Sequence, residues 1–385
     1  MLKNVTDTVF YVGVDDKDID LFENQYIVPN GIAYNSYVIM DEKIAIMDMV
    51  DAKCADQWFA NVAEVLGDRQ PDYLIISHLE PDHSVNLGDV LAKYPDIKIV
   101  SNAKLFAMLP NFFEVPVADR SVTVAEGQTL SLGSHTLQFF MAPMVHWPEV
   151  MVTYEQSEKI LFSADAFGKF GTLDTDEDWA CEARRYYFNI VGKYGMPAQA
   201  LLKKAAGLDI QKICALHGPI LTENLEYYIG KYQLWSTYTP EDEGIFIAYC
   251  SLHGNTEKAA KKLAEILEAK GAPKVAISDL SRDDIAECIE DAFRYDRLVL
   301  AAPTYDGGVM PVMADFINHL KMKAYQKRKV AFIENGSWAP MAAKLMKEQM
   351  AAMKDIEIVD EHVTIRSAFK QSDVAALEAL AGKLL

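Results

Sequence analysis

The chain has few cysteines. The five, Cys54, Cys181, Cys214, Cys250 and Cys288, are odd in number and form no CxxC pair. This excludes a disulfide framework or a thiolate metal centre and fits a reducing compartment, with the cytoplasm as the expected location. Positive charge is also scarce: 37 basic residues against 56 acidic ones leave a net charge of −19. Nucleic acid and anionic membrane both call for a basic surface, so neither is an expected partner. No apolar run is long enough to span a bilayer, and the start, Met1-Leu2-Lys3-Asn4, lacks the apolar core of a secretory signal. There is no internal repeat and no low-complexity stretch. Half of the 385 residues are hydrophobic, enough for two domains of ordinary size.

Against that background one stretch stands out. Residues 77–86 pack His78, Glu80, Asp82 and His83 into six positions, directly after the short apolar run 73–77. Such a run reads as a buried strand. Pro81 restricts the residue before it, so a loop rather than a helix is expected at the strand's carboxyl end. His78 and Glu80, two apart on extended backbone, can point the same way. Asp82 and His83 follow where the chain turns and can point elsewhere, a geometry that suits two adjacent metal ions.

Around this loop the first half of the chain reads as strands, hairpins and a few helices. A hairpin turns at 41–43, a helix over 52–66 ends at Gly67, and another helix runs to about Tyr94. Strand patterns follow at 97–100 and within 121–142, and a hairpin pairs 151–155 with 160–164. Residues 177–206 look helical, 213–216 extended, and 223–238 helical. Residues 236–244 are polar with Pro240 and Gly244, which places a domain border at 243/244, giving domains 1–243 and 244–385. Beyond it strands (245–250, 275–280, 297–302, 329–333, 356–363) alternate with helices (255–270, 282–293, 311–323, 340–353, 373–384). Strict alternation means a doubly wound α/β domain with a parallel sheet.

Three more polar residues end apolar runs in the first half: His146, Asp165 and His217. Each alone is a satisfied loop residue. Together with His78 and His83, they place four of the eight histidines at strand ends, where a sheet would gather them. His135, His319 and His362 have no such company and read as surface or satisfied residues. Four imidazoles and three carboxylates without thiolate suit iron, manganese or zinc. Three carboxylates favour trivalent ions, hence redox-active iron, and a carboxylate such as Asp165 can bridge two ions.

The second half opens its first strand into Ser251, His253, Gly254, Asn255 and Thr256, at the start of a helix. Backbone N–H groups and hydroxyls at a helix N-terminus suit a phosphate. The pattern is neither GxGxxG nor a Walker loop. It resembles the phosphate loop of flavodoxins. The third strand ends in Pro303, Thr304, Tyr305, Asp306 and Gly307, and the fourth in Asn335, Gly336, Ser337 and Trp338. In doubly wound sheets the ligand crevice lies beyond these carboxyl ends, where such residues can border a flavin ring.

Taken together, the motifs resemble the flavodiiron proteins, also called A-type flavoproteins. The first half is similar to a metallo-β-lactamase-type αββα sandwich, whose hydrolases carry HxHxDH; Glu80 stands here in place of the second histidine. The resemblance implies an α+β metallo-β-lactamase-like domain followed by an α/β flavodoxin-like domain, with FMN and two iron ions per chain. It implies His78, Glu80 and His146 on one iron, Asp82, His83 and His217 on the other, and Asp165 bridging. Tyr194 resembles a tyrosine lining the substrate pocket. Many members carry a histidine where Phe22, Glu23 and Asn24 stand, and a longer aromatic motif around Trp338. The activity implied is reduction of dioxygen to water, of nitric oxide to nitrous oxide, or both. Electrons would come from an external carrier such as rubredoxin, and the assembly would be a head-to-tail homodimer or a dimer of dimers. A binuclear zinc hydrolase and a plain electron carrier are the rival readings; Glu80 and the flavin loops argue against the first.

Overall fold

The computed structural model describes residues 4–385. The chain forms two compact units: one contains the chain through Tyr187 together with Tyr194–Gln233, the other Phe188–Lys193 and Leu234–Leu385.

The first unit is built on two sheets. Six strands lie in the order Val9–Tyr11, Tyr37–Ile39, Ala45–Met47, Tyr73–Ile75, Lys98–Asn102, Ser121–Val124; five more lie in the order Thr129–Ser131, Thr136–Met141, Met151–Glu155, Ile160–Phe162, Lys212–Cys214. Alternate residues point to opposite faces of a strand, and this periodicity makes the core. Tyr37, Ile39, Ala45, Met47, Tyr73 and Ile75 meet Leu137, Phe139, Met151, Ile160 and Phe162 in one buried cluster between the sheets. The intervening Val38, Ile46 and Leu74 are also fully buried, so the outer face needs a helical cover. The helix Ala55–Leu66, which buries Trp58, Val62 and Leu66, supplies part of it, with Trp58 donating its indole N–H to Ser36 Oγ at 3.0 Å. Over the second sheet, Leu161 and Ile213 lie beneath Leu202, Leu225 and Ile229 of the helices Gly195–Ala205 and Leu225–Ser236, around an apolar cavity of about 270 Å³. This is a metallo-β-lactamase-like αββα sandwich.

The second unit has one parallel sheet. Numbered along the chain, its strands Asp242–Tyr249, Val275–Asp279, Tyr295–Tyr305, Arg328–Asn335 and Ile356–Ile358 lie in the order 2-1-3-4-5. That is the flavodoxin-like order, and its switch point falls between the first and third strands. On one face Ile245, Ile247, Val299, Ala301, Ala331 and Ile333 pack against Leu263, Leu267, Leu377 and Leu380 of the helices Asn255–Ala269 and Val374–Leu384. The alternate residues Phe246, Leu298, Leu300 and Phe332 are equally buried on the other face.

Three local expectations change. Pro81 does not prevent a helix but begins one: Pro81–Ser84 is a single helical turn with proline in its first turn, where no N–H is needed, and the restricted residue is Glu80, extended at φ −58°, ψ 138°. The helical stretch after 177 is interrupted by a π-helical turn, Tyr187–Val191, between Trp179–Tyr186 and Gly195–Ala205. Within it Phe188 stacks on Phe293 at 4.2 Å, and Lys323 donates to the Asn189 carbonyl at 2.8 Å. The fifth strand is two short pieces, Ile356–Ile358 and Val363–Ile365, both pairing with Arg328–Asn335.

Candidate metal centre and flavin cleft

The strand Tyr73–Ile75 delivers the first four polar residues. Ser77 donates its N–H to Asp48 Oδ1 at 2.6 Å, which anchors the chain as it leaves the sheet. From there the extended backbone turns His78 and Glu80 the same way, and His78 Nε2 lies 3.1 Å from Glu80 Oε2. The turn Pro81–Ser84 then swings Asp82 and His83 elsewhere; it is pinned by Ser84 Oγ, which donates to the Leu79 carbonyl at 2.7 Å.

Three more strands converge on the same place. The connection after Thr136–Met141 brings His146 Nε2 to 3.1 Å from Glu80 Oε2. The turn after Ile160–Phe162 presents Asp165, and the turn after Lys212–Cys214 presents His217. His83 Nε2 and His217 Nε2 are 3.0 Å apart. The structure thus brings all seven residues singled out in the sequence into two groups, His78/Glu80/His146/Asp165 and Asp82/His83/His217. Asp165 faces both: its Oδ2 lies 3.4 Å from His78 Nε2 and 3.5 Å from His146 Nε2, while its Oδ1 lies 3.7 Å from His217 Nε2 and 3.8 Å from His83 Nε2.

The groups have the chemistry of a cation site. His78, His83 and Asp165 are fully buried and Asp82 nearly so. Both oxygens of Asp82, and Oδ2 of Asp165, have no hydrogen-bond partner. A buried carboxylate oxygen without a hydrogen bond is costly; two cations at the convergence of the imidazole Nε2 atoms would remove that cost. The charges already respond to one another. Burial alone would lower His78, but the carboxylates of Asp165, Glu149 and Glu80 outweigh it and hold the imidazole well above its usual range. His83 is likewise raised to about 9, against its desolvation, by Asp82 and Asp165. Glu80 is lowered to about 2, against burial and Asp82, by His146 and His78.

Several neighbours escape a reading by motif. The hydroxyl that donates to Asp165 Oδ1, at 3.2 Å, belongs to Tyr186. Tyr194 stands at the N-cap of the helix Gly195–Ala205. Glu149, fully buried, accepts from His78 Nδ1 at 2.8 Å; its one sequence signal was standing three residues beyond His146. Glu23 and Asn24 form the turn of the small hairpin Leu21–Phe22/Tyr26–Ile27, both with positive φ (48° and 60°). There Glu23 is raised to about 7 by desolvation and by Glu80, and Phe22 packs edge-on against His217 with ring centres 5.4 Å apart. Of the histidines set aside, His135 is buried and satisfied, bonded to Asp41 at 2.7 Å and Thr8 at 3.0 Å.

In the second unit Ser251, His253, Asn255, Thr256, Pro303, Thr304, Asn335, Gly336, Ser337 and Trp338 line a cleft of about 440 Å³, joined by Leu252, Ser367 and Ala368, which the sequence did not single out. Asp306 and Gly307 line an adjoining hollow of about 310 Å³ that shares Thr304, Gly336, Ser337 and Trp338. Gly254, at φ 78°, is the N-cap of the helix Asn255–Ala269, and no side chain caps that terminus. Ser251 Oγ, buried nearby, has no hydrogen-bond partner. Free helix N–H groups beside an unpaired hydroxyl fit a phosphate. Tyr305, 43% exposed, and Trp338, 83% exposed, offer uncovered aromatic rings. Other members of the set are already engaged: Thr304 Oγ1 accepts from the Met341 and Ala342 N–H groups, Asn335 binds Ser367 backbone in both directions, and Asn255 Oδ1 accepts from Phe369 N–H.

Comparison with known proteins agrees with both halves. The family described as ODP family beta lactamase matches residues 32–218, and the flavodoxin domain family matches residues 246–375. A protein named nitric oxide reductase, from Moorella thermoacetica, is 29% identical over 373 residues, covering 93% of this chain and 91% of its own. An anaerobic nitric oxide reductase flavorubredoxin from Vibrio vulnificus is 28% identical over 88% of this chain and 70% of its own. Rubredoxin oxygen:oxidoreductase from Desulfovibrio gigas superposes with a TM-score of 0.92 at 25% identity, over 100% of this chain and 98% of its own. Both halves of the chain, in this order, are similar to flavodiiron proteins.

The raised imidazoles make metal uptake a proton-coupled event. The metal-free His83 is raised to about 9, and an imidazole that binds a metal must first shed its proton. Ferrous uptake by metal-free protein at pH 7 will therefore release protons, and affinity will fall as pH is lowered. Calorimetry in two buffers of different ionisation enthalpy measures the number released; a value of zero contradicts this charge arrangement.

Proposed function

We propose that this flavodiiron oxidoreductase reduces dioxygen to water, nitric oxide to nitrous oxide, or both, at a pair of iron ions supplied with electrons through FMN. One observation carries the reading most: the two oxygens of Asp165 face two separate histidine–carboxylate groups, as a bridging ligand requires. His78, Glu80 and His146 would hold one iron, and Asp82, His83 and His217 the other. The iron pair, when bound, supplies Lewis-acid and redox chemistry toward a small diatomic substrate. The protein's part is to hold and shield that centre. Tyr186 fixes the Asp165 carboxylate through its hydroxyl. Phe22 and Tyr34 pack their rings against His217, at 5.4 and 5.8 Å, and keep water from that side. In the other half Ser251, Thr256 and the N-terminus of the helix Asn255–Ala269 would hold the FMN phosphate, with Tyr305 and Trp338 against the flavin ring.

The electron donor is a separate carrier of the rubredoxin type, and the protein works in the cytoplasm. Supporting a reducing compartment, Cys54, Cys214, Cys250 and Cys288 form no disulfide. Residues 1–243 serve as the iron half and 244–385 as the flavin half. Elemental analysis with the visible spectrum is the deciding experiment: two irons and one FMN per chain are expected, whereas zinc alone or absent flavin absorbance would point to a hydrolase.

Changing Ser251 and Thr256 together to Ala should release FMN and leave iron in place. Each hydrogen bond to a charged group is worth roughly 1.5–3 kcal/mol, so affinity should fall at least about a hundredfold. Flavin retained at wild-type affinity would put the phosphate elsewhere.

We further propose a head-to-tail homodimer, alone or paired, in which each FMN serves the iron pair of its partner. The resemblance to the flavodiiron proteins implies this assembly. The flavin cleft is also rimmed by exposed Leu252, Tyr305 and Trp338, apolar surface that a partner would cover. Mixing FMN-free with iron-free variants and allowing subunit exchange should restore part of the activity. An isolated monomer turning over at the full rate per chain would refute the arrangement.

A further inference from the structure

The histidines of the two ligand groups are supported differently from behind. Glu149 Oε1 accepts the Leu79 N–H at 3.0 Å and lies 2.8 Å from His78 Nδ1. An oxygen already accepting is an acceptor for the imidazole too, so Nδ1 keeps its proton and Nε2, 3.1 Å from Glu80 and 3.4 Å from Asp165, is the nitrogen left to give one up to a metal. The other carboxylate oxygen, Oε2, is buried with no hydrogen-bond partner. No Lys or Arg pairs with Glu149 among the described residues; its only ion-pair contact is His78. Its charge therefore acts through that ring. In the second group no carboxylate accepts a hydrogen bond from an imidazole Nδ1. His217 Nδ1 donates to a neutral carbonyl, Ala33 O, at 2.8 Å, and His83 Nδ1 is buried without a hydrogen bond.

The placement of Glu149 is built into the fold. It shares the segment 142–150 with His146, and that segment is closed by bonds from Ala142 N–H to Val150 O (2.8 Å) and from Met144 N–H to Trp147 O (2.7 Å). Asn102 Nδ2 holds the Glu149 carbonyl at 2.6 Å. Trp147 covers His78, ring centres 5.0 Å apart. One segment thus reaches the same position twice, directly through His146 and indirectly through His78.

We propose that Glu149 is a positioning residue that fixes the His78 tautomer and raises its basicity, making the His78/Glu80/His146 position the tighter of two unequal metal positions. The inference rests on the two-iron reading above. A carboxylate behind a ligating imidazole typically contributes ten- to a hundredfold in metal affinity, and a neutral carbonyl contributes less charge.

The test is Glu149→Gln, which keeps an acceptor for Leu79 and His78 and removes only the charge. Wild-type protein purified with iron and FMN, challenged with a ferrous chelator after reduction, should lose iron in two phases. In the variant the slow phase should quicken ten- to a hundredfold while the fast phase, the FMN content and the near-ultraviolet circular dichroism stay unchanged. Release of both ions in one phase from wild type, an unaltered slow phase in the variant, or equal acceleration of both phases overturns the proposal. Independently of any phase analysis, ¹⁵N spectra of zinc-substituted wild type should show the His78 Nδ1 proton in a strong hydrogen bond; an Nε2-protonated His78 refutes it. Wild type lacking iron altogether would instead sink the two-iron reading.

Discussion

The first unit depends on balancing buried charge. Glu80, Asp82 and Asp165 carry negative charge into a space that His78, His83, His146 and His217 line from the other side. Neither set is tolerable there alone, because unpaired buried charge is costly. In the metal-free chain the carboxylates raise His78 well above its usual range and His83 to about 9, and the imidazoles hold Glu80 down at about 2. With two cations in place the same atoms would serve as ligands and the protons would leave. The arrangement is thus one constraint with two solutions, and cation binding is coupled to proton release.

The sandwich delivers those side chains economically. In the second sheet, Thr136–Met141 runs antiparallel to Met151–Glu155, which runs antiparallel to Ile160–Phe162, which is parallel to Lys212–Cys214. Two reversals restore the direction, so the carboxyl ends leading to His146, Asp165 and His217 emerge on one edge. The first sheet adds Tyr73–Ile75 there, tied across by the bond from Met151 N–H to Ser77 O at 3.0 Å. In the second unit the parallel sheet does the same for the flavin loops: the strands ending at Tyr249, Tyr305 and Asn335 open together into the cleft.

What one loop shares among its residues was legible without coordinates. The spacing of His78, Glu80, Asp82 and His83 follows from the period of extended chain and the turn after it, and the run of strand ends was enough to add His146, Asp165 and His217. Alternating strand and helix patterns likewise gave the order of elements in the second half, because a parallel sheet with helical crossovers is written as that alternation. Ser251, Gly254 and Thr256 stood out for the same local reason, a strand opening directly into a helix.

Other features depended on distance in space. Glu149 and Tyr186 carry no motif; their roles come from lying 2.8 Å from His78 and 3.2 Å from Asp165, across 71 and 21 residues of chain. Tyr194 stands eight residues beyond Tyr186, across the π-helical turn, at the N-cap of the helix Gly195–Ala205. Pro81 shows the same at short range: its ring is compatible with a loop or with the start of a helix, and the bonds of Ser84 to Leu79 and Glu80 carbonyls decide for the helix. The sequence by itself determined the element order, the two cores and the chemical kinds of ligand, because these depend on local periodicity and composition. Only the tertiary structure decided which atoms meet, which imidazole Glu149 supports and which carboxylate oxygens lack a hydrogen bond, because burial and hydrogen bonding are properties of the packed chain.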